Sequence, residues 1–263
     1  MVDTSGALDG YTKFSFSDGG TTRDVYRTGT GPAVIVIHEV PGVTPKVAAF
    51  GRRVAEIGCT AVLPSLFGTP GKDVSMPYAL QSMLGGCVSK EFHNWACAST
   101  SPITVWCRAL AAKMHEECGG PGVGAVGMCF TGNFALAMMV DDRMLAPVLS
   151  QPSLPFPVGK DRRRDLAISD DDLLRVKERA AQGQCLLGLR FTRDPAVPAE
   201  RFQRLRDELG DKFISVEIDS SKGNQWGNPR SAHSVLTEHL VDEPGHPTRE
   251  ALDQVLAFYR ERL

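Results

Sequence analysis

Residues 33–37 read Ala-Val-Ile-Val-Ile, five apolar residues without a polar interruption, four of them β-branched. A strand with one face in water alternates apolar and polar residues; a strand that is apolar on both faces must be covered on both. That requirement is met in the interior of a mostly parallel sheet with helices on either side. Similar short runs recur at Thr60 to Leu63, Val123 to Met128, Leu145 to Leu149, Cys185 to Phe191 and Phe213 to Ile218. Between them lie segments with helical periodicity and helix punctuation. Thr44 to Ile57 stops at Gly58, and Ile103 to Glu117 sits between Pro102 and Gly119-Gly120. Thr131 to Val140, Asp170 to Ala181, Pro198 to Leu209 and Thr248 to Arg262 complete the series. Strands alternating with helices predict an α/β fold: a mostly parallel sheet with helices on both faces. Near the start, Tyr11 to Ser17 and Thr22 to Arg27 predict a hairpin turning at Asp18-Gly19-Gly20. Two stretches lose this rhythm, Phe67 to Ser101 and Gln151 to Asp165. The second ends in a basic cluster (Lys160, Arg162, Arg163, Arg164) that reads as solvated surface.

With 263 residues, no internal repeat and no linker-like stretch, the chain is expected to form one domain over 1–263. A net charge of -2 offers no basic field for nucleic acid or an acidic lipid surface. No apolar run approaches the roughly 18 residues of a membrane span, and Met1 to Gly10 lacks the pattern of a secretory leader. A cytoplasmic location is the expectation. The seven cysteines are scattered with no Cys-x-x-Cys pair. Only Cys87, His93 and Cys97 are spaced loosely like metal ligands, so no metal and no cofactor is expected. The remaining cysteines read as small reduced hydrophobes.

The segment Gly124-Ala125-Val126-Gly127-Met128-Cys129-Phe130-Thr131-Gly132 carries the chemistry. It sets a nucleophilic side chain between small residues where a strand gives way to a helix. A turn that sharp tolerates only small neighbours and lifts the side chain at its apex above the sheet edge. The backbone N–H groups of a helix start favour an anion there, which suits a thiolate at Cys129. Thr131 stands where glycine is usual. The same stretch matches Gly-x-Gly-x-x-Gly over 122–127, but a dinucleotide site needs its glycines after the strand, and here the strand residues lie inside the pattern. Gly71-Lys72 fails as a P-loop, since Leu66 and Asp73 occupy required positions. His38-Glu39 lacks the second histidine of a zinc protease motif.

In hydrolases with such an elbow the chain order is nucleophile, acid, histidine. Asp194 follows the run Cys185 to Phe191, and His233 follows Phe213 to Ile218. Both lie beyond strand C-terminal ends, where open α/β sheets build their sites. A histidine there can take the thiol proton while a carboxylate fixes its tautomer. Asp219 competes with Asp194; His239 and His246 compete with His233. The loop His38-Glu39-Val40-Pro41-Gly42 follows the first buried strand. The backbone N–H groups of Val40 and Phe130 are the candidates for an oxyanion hole. Glu39 is costly if buried without a partner.

These residues resemble the dienelactone hydrolase family of α/β-hydrolases. The carriers are VIVIHEVPGV (34–43), AVLPSLFG (61–68), VGMCFTG (126–132), RDPAVP (193–198) and AHS (232–234). The resemblance implies Cys129, Asp194 and His233 as a triad. It also implies that Glu39 meets the cysteine and helps take its proton when substrate arrives, so that the resting thiol is protected. An ester or lactone would then open by acyl transfer to the cysteine and hydrolysis. Family members acting on dienelactone hold its carboxylate with arginines, one of them four residues past the histidine. Here that position is Thr237, which makes it a candidate substrate-binding residue and points to uncharged substrates. Arg108, Arg162 to Arg164 and Arg230 are the other candidate cations. The usual aromatic-Gly pair after the sixth core strand is replaced by Ser150-Gln151-Pro152. The alternative reading is a non-catalytic member of the fold that binds a small molecule or a partner.

Overall fold

The structure, a computed structural model, describes residues 6–75, 77–82, 101–154 and 159–263. Eight strands form one sheet in the order β1-β2-β4-β3-β5-β6-β7-β8. They are β1 (Thr12–Asp18), β2 (Thr21–Gly29), β3 (Ala33–Ile37), β4 (Thr60–Pro64), β5 (Val123–Met128), β6 (Met144–Ser150), β7 (Leu186–Phe191) and β8 (Phe213–Ile218). The N-terminal hairpin β1–β2 joins the edge of β4 antiparallel, and every pairing from β4 to β8 is parallel.

The apolar runs explain the layering. Along β3, Ile35 and Ile37 point to one face and Val34 and Val36 to the other, and all are fully buried. One face is covered by α1 (Pro45–Glu56) and by the C-terminal helix Pro247–Arg262, through Val47, Phe50, Val54, Leu252 and Val255. The other is covered by α2 (Pro102–Cys118), α3 (Phe134–Met138), α5 (Asp170–Ala181) and α6 (Ala199–Leu209), through Trp106, Leu110, Phe134, Val176 and Phe202. Each large side chain removed from water contributes about 1.5–3 kcal/mol before chain entropy is counted. The helix starts are fixed by side-chain caps: Thr44, Ser101 and Ser169 each accept a backbone N–H in the first turn. Among the described residues no helix is long and apolar enough to cross a membrane.

Two expectations need correction. The helix expected over Thr131 to Val140 is a 3-10 turn, Cys129–Thr131, followed by the short α3. The Thr131 hydroxyl turns inward to backbone carbonyls and tightens this first turn. The stretch 151–165, read as irregular, contains α4 (Lys160–Arg164). Its arginines are not simply solvated: Arg163 pairs with Glu200 at 2.8 Å and Arg164 with Asp207 at 3.0 Å, both on α6. The Cys87, His93 and Cys97 grouping lies outside the described residues, as does most of the irregular stretch before α2. Among the described residues no cluster of histidine, cysteine and carboxylate side chains could hold a metal.

After β4 the chain passes over β3 to form β5, so the connections at the C-terminal ends of β3 and β5 leave in opposite directions. Open α/β sheets place a crevice at such a point.

Candidate active site

Five parallel strands deliver the site from their C-terminal ends. Strand β5 ends at Met128, and Cys129 follows with φ at +56°, a left-handed conformation that a non-glycine residue rarely adopts. The surroundings hold it there. A Cβ on Gly127 would come within 2.2 Å of the Thr131 carbonyl oxygen, and one on Gly132 within 2.4 Å of the Pro152 Cα. Glycine is therefore required at both positions. Thr131, which departs from the usual small residue, is buried. Its hydroxyl lies 2.9, 3.0 and 3.1 Å from the carbonyl oxygens of Met128, Ile37 and His38, and it accepts the Met128 N–H at 3.1 Å. It ties the elbow to the end of β3, so the substitution keeps the turn and adds a clamp.

Beyond β7, Asp194 is buried. One of its carboxylate oxygens lies 2.5 Å from His233 Nδ1, and the other accepts the Ala196 N–H at 2.9 Å. His233, on the long loop after β8, retains about a quarter of its side-chain exposure. Burial disfavours its charged form, but Cys129, acting as a charge and as a hydrogen-bond partner, and Asp194 outweigh this. Its pKa is raised well above the ordinary histidine value. Cys129, His233 and Asp194 thus stand in a row.

The competitors are occupied elsewhere. Asp219 is exposed and accepts the Ser221 N–H at 2.8 Å. His239 Nδ1 accepts the backbone N–H groups of His233 and Ser234, at 3.3 and 3.2 Å, and so braces the histidine loop. His246 caps the C-terminal helix through Thr248. The register Ile37↔Gly127 sets the His38-Glu39-Val40 segment beside Cys129-Phe130. The two candidate oxyanion donors therefore lie on neighbouring loops. Phe67 packs edge-on against both His38 and Phe130, an apolar wall beside this crevice.

Glu39, which the resemblance brings to the cysteine when substrate arrives, is hydrogen-bonded here to Ser234, Gln151 and Thr237. Its side chain is buried and makes no hydrogen bond to Cys129. One oxygen accepts from Ser234 Oγ at 2.6 Å and Gln151 Nε2 at 3.1 Å, and the other from the Thr237 hydroxyl. No lysine or arginine pairs with it among the described residues. Burial raises its pKa, against the hydroxyl hydrogen bonds and His233, which lower it. Thr237, expected to face substrate, is itself buried and its hydroxyl is given to Glu39.

Three contributors were missed from the sequence. Gln151, in left-handed backbone at φ +38°, accepts from Ser150 and from Val235 N–H while donating to Glu39. Ser153 Oγ lies 3.2 Å from Cys129 Sγ. Arg201, fully buried, donates to the carbonyls of Asp165 at 2.7 Å, Pro152 at 2.8 Å, and Arg162 and Ala196 at 3.3 Å. Burial lowers its pKa to about 10, so it stays cationic at neutral pH and pins the loops after β6 and β7 together. The available signal for the first two was the polar pair Gln151 and Ser153 directly beyond the end of an apolar strand.

A parallel sheet, a strained strand-to-helix cysteine and an acid–histidine pair on later strand ends define an α/β-hydrolase fold. Residues 25–228 match the model of the dienelactone hydrolase family, a stretch that includes Glu39, Cys129 and Asp194 and ends before His233. The chain belongs to that family, whose hydrolases act on ester bonds. It is 26% identical over 192 residues to a Saccharomyces cerevisiae protein named "Putative carboxymethylenebutenolidase", an alignment covering 71% of this chain and 67% of the yeast protein. In fold it is similar to the dienelactone hydrolase of Anabaena variabilis, with a TM-score of 0.61 at 14% identity, covering 97% of this chain and 99% of the other. It is also similar to a cold-adapted esterase from an Arctic intertidal metagenomic library, with a TM-score of 0.56 at 14% identity, covering 96% and 93%.

Proposed function

We propose that this protein hydrolyses small uncharged carboxylic esters or lactones through an acyl-cysteine intermediate, on a single domain. The observation that carries the reading is the row formed by Cys129, on its strained elbow, with the His233–Asp194 pair at 2.5 Å. His233 takes the thiol proton and Asp194 holds the resulting imidazolium. The sulfur attacks the carbonyl carbon, and the carbonyl electron pair moves to oxygen, where the N–H groups of Val40 and Phe130 receive it. Collapse expels the alkoxide, which His233 protonates. Water then gives its proton to His233, attacks the thioester and releases the acid as the sulfur departs. In a lactone the leaving alcohol stays tethered to the acid. The preference for neutral substrates rests on Thr237 and on Glu39, whose surroundings are uncharged donors where a carboxylate substrate needs a cation. A cytoplasmic, reducing location is supported by free Cys59, Cys107, Cys118, Cys129 and Cys185 among the described residues.

The test is Cys129→Ala assayed on neutral aryl esters. Hydrolysis should be lost while the melting temperature holds. Turnover at the parent rate in a folded variant would remove Cys129 from the chemistry.

A further inference from the structure

The sulfur of Cys129 has a neighbour that neither the elbow nor the histidine row requires. Ser153 is nearly buried, and its Oγ lies 3.2 Å from Sγ. That contact is the only hydrogen bond of its hydroxyl among the described residues. The serine is held in place twice over. Its own N–H donates to the Cys129 carbonyl at 2.9 Å, and the preceding carbonyl, that of Pro152, accepts from the buried Arg201 at 2.8 Å. Pro152 also packs against Gly132 so closely that no Cβ fits between them. The elbow and the loop after β6 are therefore one rigid piece, with the hydroxyl aimed at the sulfur.

Glu39 is in the opposite condition. Both of its oxygens are taken by Gln151, Ser234 and Thr237, and none of its bonds runs toward Cys129. Ser234 follows His233 directly in the chain, so the glutamate acts on the histidine loop.

We propose that Ser153 is the resting hydrogen-bond partner of the Cys129 sulfur, holding it toward His233 before substrate arrives, while Glu39 serves as a positioning residue for the histidine loop. The proposal rests on the reading of Cys129 as nucleophile. No bond is made or broken in this resting arrangement. Once the thiol proton passes to His233, the Ser153 O–H is placed to donate to the thiolate. A charge-assisted hydrogen bond of this kind favours the ionised sulfur, and it weakens when the sulfur loses its charge on attack. Ser153 thus sets how much nucleophile stands ready. The titratable groups brought to this site by its elements are Glu39 after β3, Asp194 after β7 and His233 after β8, with Arg201 beneath the serine loop.

The experiment is an ultraviolet titration of the thiolate, taken as the difference between each protein and its Cys129→Ala counterpart. In Ser153→Ala the midpoint should move up by about one pH unit, the size expected from losing one charge-assisted bond. In Glu39→Gln it should move far less, because the removed carboxyl does not touch the sulfur. Circular dichroism establishes that each variant is folded, and a packing role for Ser153 would leave the midpoint in place. An unmoved midpoint in folded Ser153→Ala overturns the proposal, whatever Glu39→Gln does. Failure of the nucleophile reading shows separately, as ester turnover retained in Cys129→Ala.

Discussion

Two polar clusters grow from the same strand ends and are built on opposite principles. The row Cys129–His233–Asp194 is charge-capable and opens toward solvent through His233. The cluster of Glu39, Gln151, Ser234 and Thr237 is closed: every oxygen of the carboxyl meets a neutral donor. A buried polar group whose hydrogen-bonding capacity is fully matched locks a structure, whereas one with capacity left over can react. On the reading proposed above, the difference between positioning and chemistry lies in what each side chain still has free. Residue type alone does not separate them, since both clusters contain an acid.

The sharpest way to break that contrast is Asp194→Asn. An amide at this position cannot favour the imidazolium and can stabilise the wrong tautomer. By analogy with serine triads kcat should fall by up to about 10⁴, less if the thiolate forms readily without help. Asp219→Asn, at an exposed loop carboxylate, should leave kcat within a factor of about two. Steady-state kinetics on one neutral ester decides it. A larger loss from Asp219→Asn would dissolve the row as described.

The next effect is on stability and arises on the closed side, from His38. Its Nδ1–H donates to the Glu39 carbonyl at 2.9 Å, and its Nε2 accepts the Leu66 N–H at 3.0 Å. Burial lowers its pKa from 6.5 to about 4, so the folded imidazole stays neutral where the unfolded one takes up a proton. The sign follows. The contribution is present above pH 6.5 and is lost as pH falls toward about 4, by roughly 3 kcal/mol in all. Glu39 acts oppositely, because its pKa is raised: its contribution is present below the unfolded value and is lost as pH rises through the folded one. Urea denaturation across this range should show the acid-side loss in the parent and a flatter profile in His38→Gln. Equal slopes in the two would remove His38 from the account.

A smaller change should come from Thr237→Val, which removes one donor from the buried Glu39 carboxyl without changing shape. The expected cost is about 1–3 kcal/mol of stability, with kcat reduced less than tenfold. Should kcat collapse while stability holds, Thr237 would belong with the reacting groups after all.

Much of this was legible in the sequence, for identifiable reasons. Runs such as Ala33–Ile37 and Val123–Met128 announce strands because burial on two faces leaves no room for polar residues. The elbow is legible because its geometry forbids a Cβ at Gly127. The pairing of Asp194 with His233 follows from chain order and strand ends. The partners of Glu39 were not legible, since Gln151 and Ser234 lie 112 and 195 residues away, joined only by sheet order and loop path. Ser153 was hidden for the same reason: its contact with Cys129 depends on β6 lying beside β5. Thr237 was read as facing substrate because the position suggests it, while the direction of its hydroxyl depends on where Glu39 settles.

The smallest effect concerns substrate choice, and it joins the two clusters. Thr237→Arg puts a cation where dienelactone-directed relatives are expected to carry one. In an unoccupied pocket that charge would attract a carboxylated substrate. Here the nearest anion is Glu39, to which the present hydroxyl already donates, so a guanidinium would pair with it first. An arginine already neutralised by a buried carboxylate has little field left for a ligand. The single variant should therefore raise kcat/KM for a carboxylated ester, relative to a neutral one, by no more than about tenfold, or roughly 1.4 kcal/mol. Adding Glu39→Gln frees the cation, and the double variant should favour the carboxylated ester further, by more than the two single changes combined. Contacting residues show such non-additivity, whereas distant ones do not. Strict additivity in this cycle would mean that the introduced guanidinium and Glu39 do not meet, and the closed cluster would then end at Gln151 and Ser234.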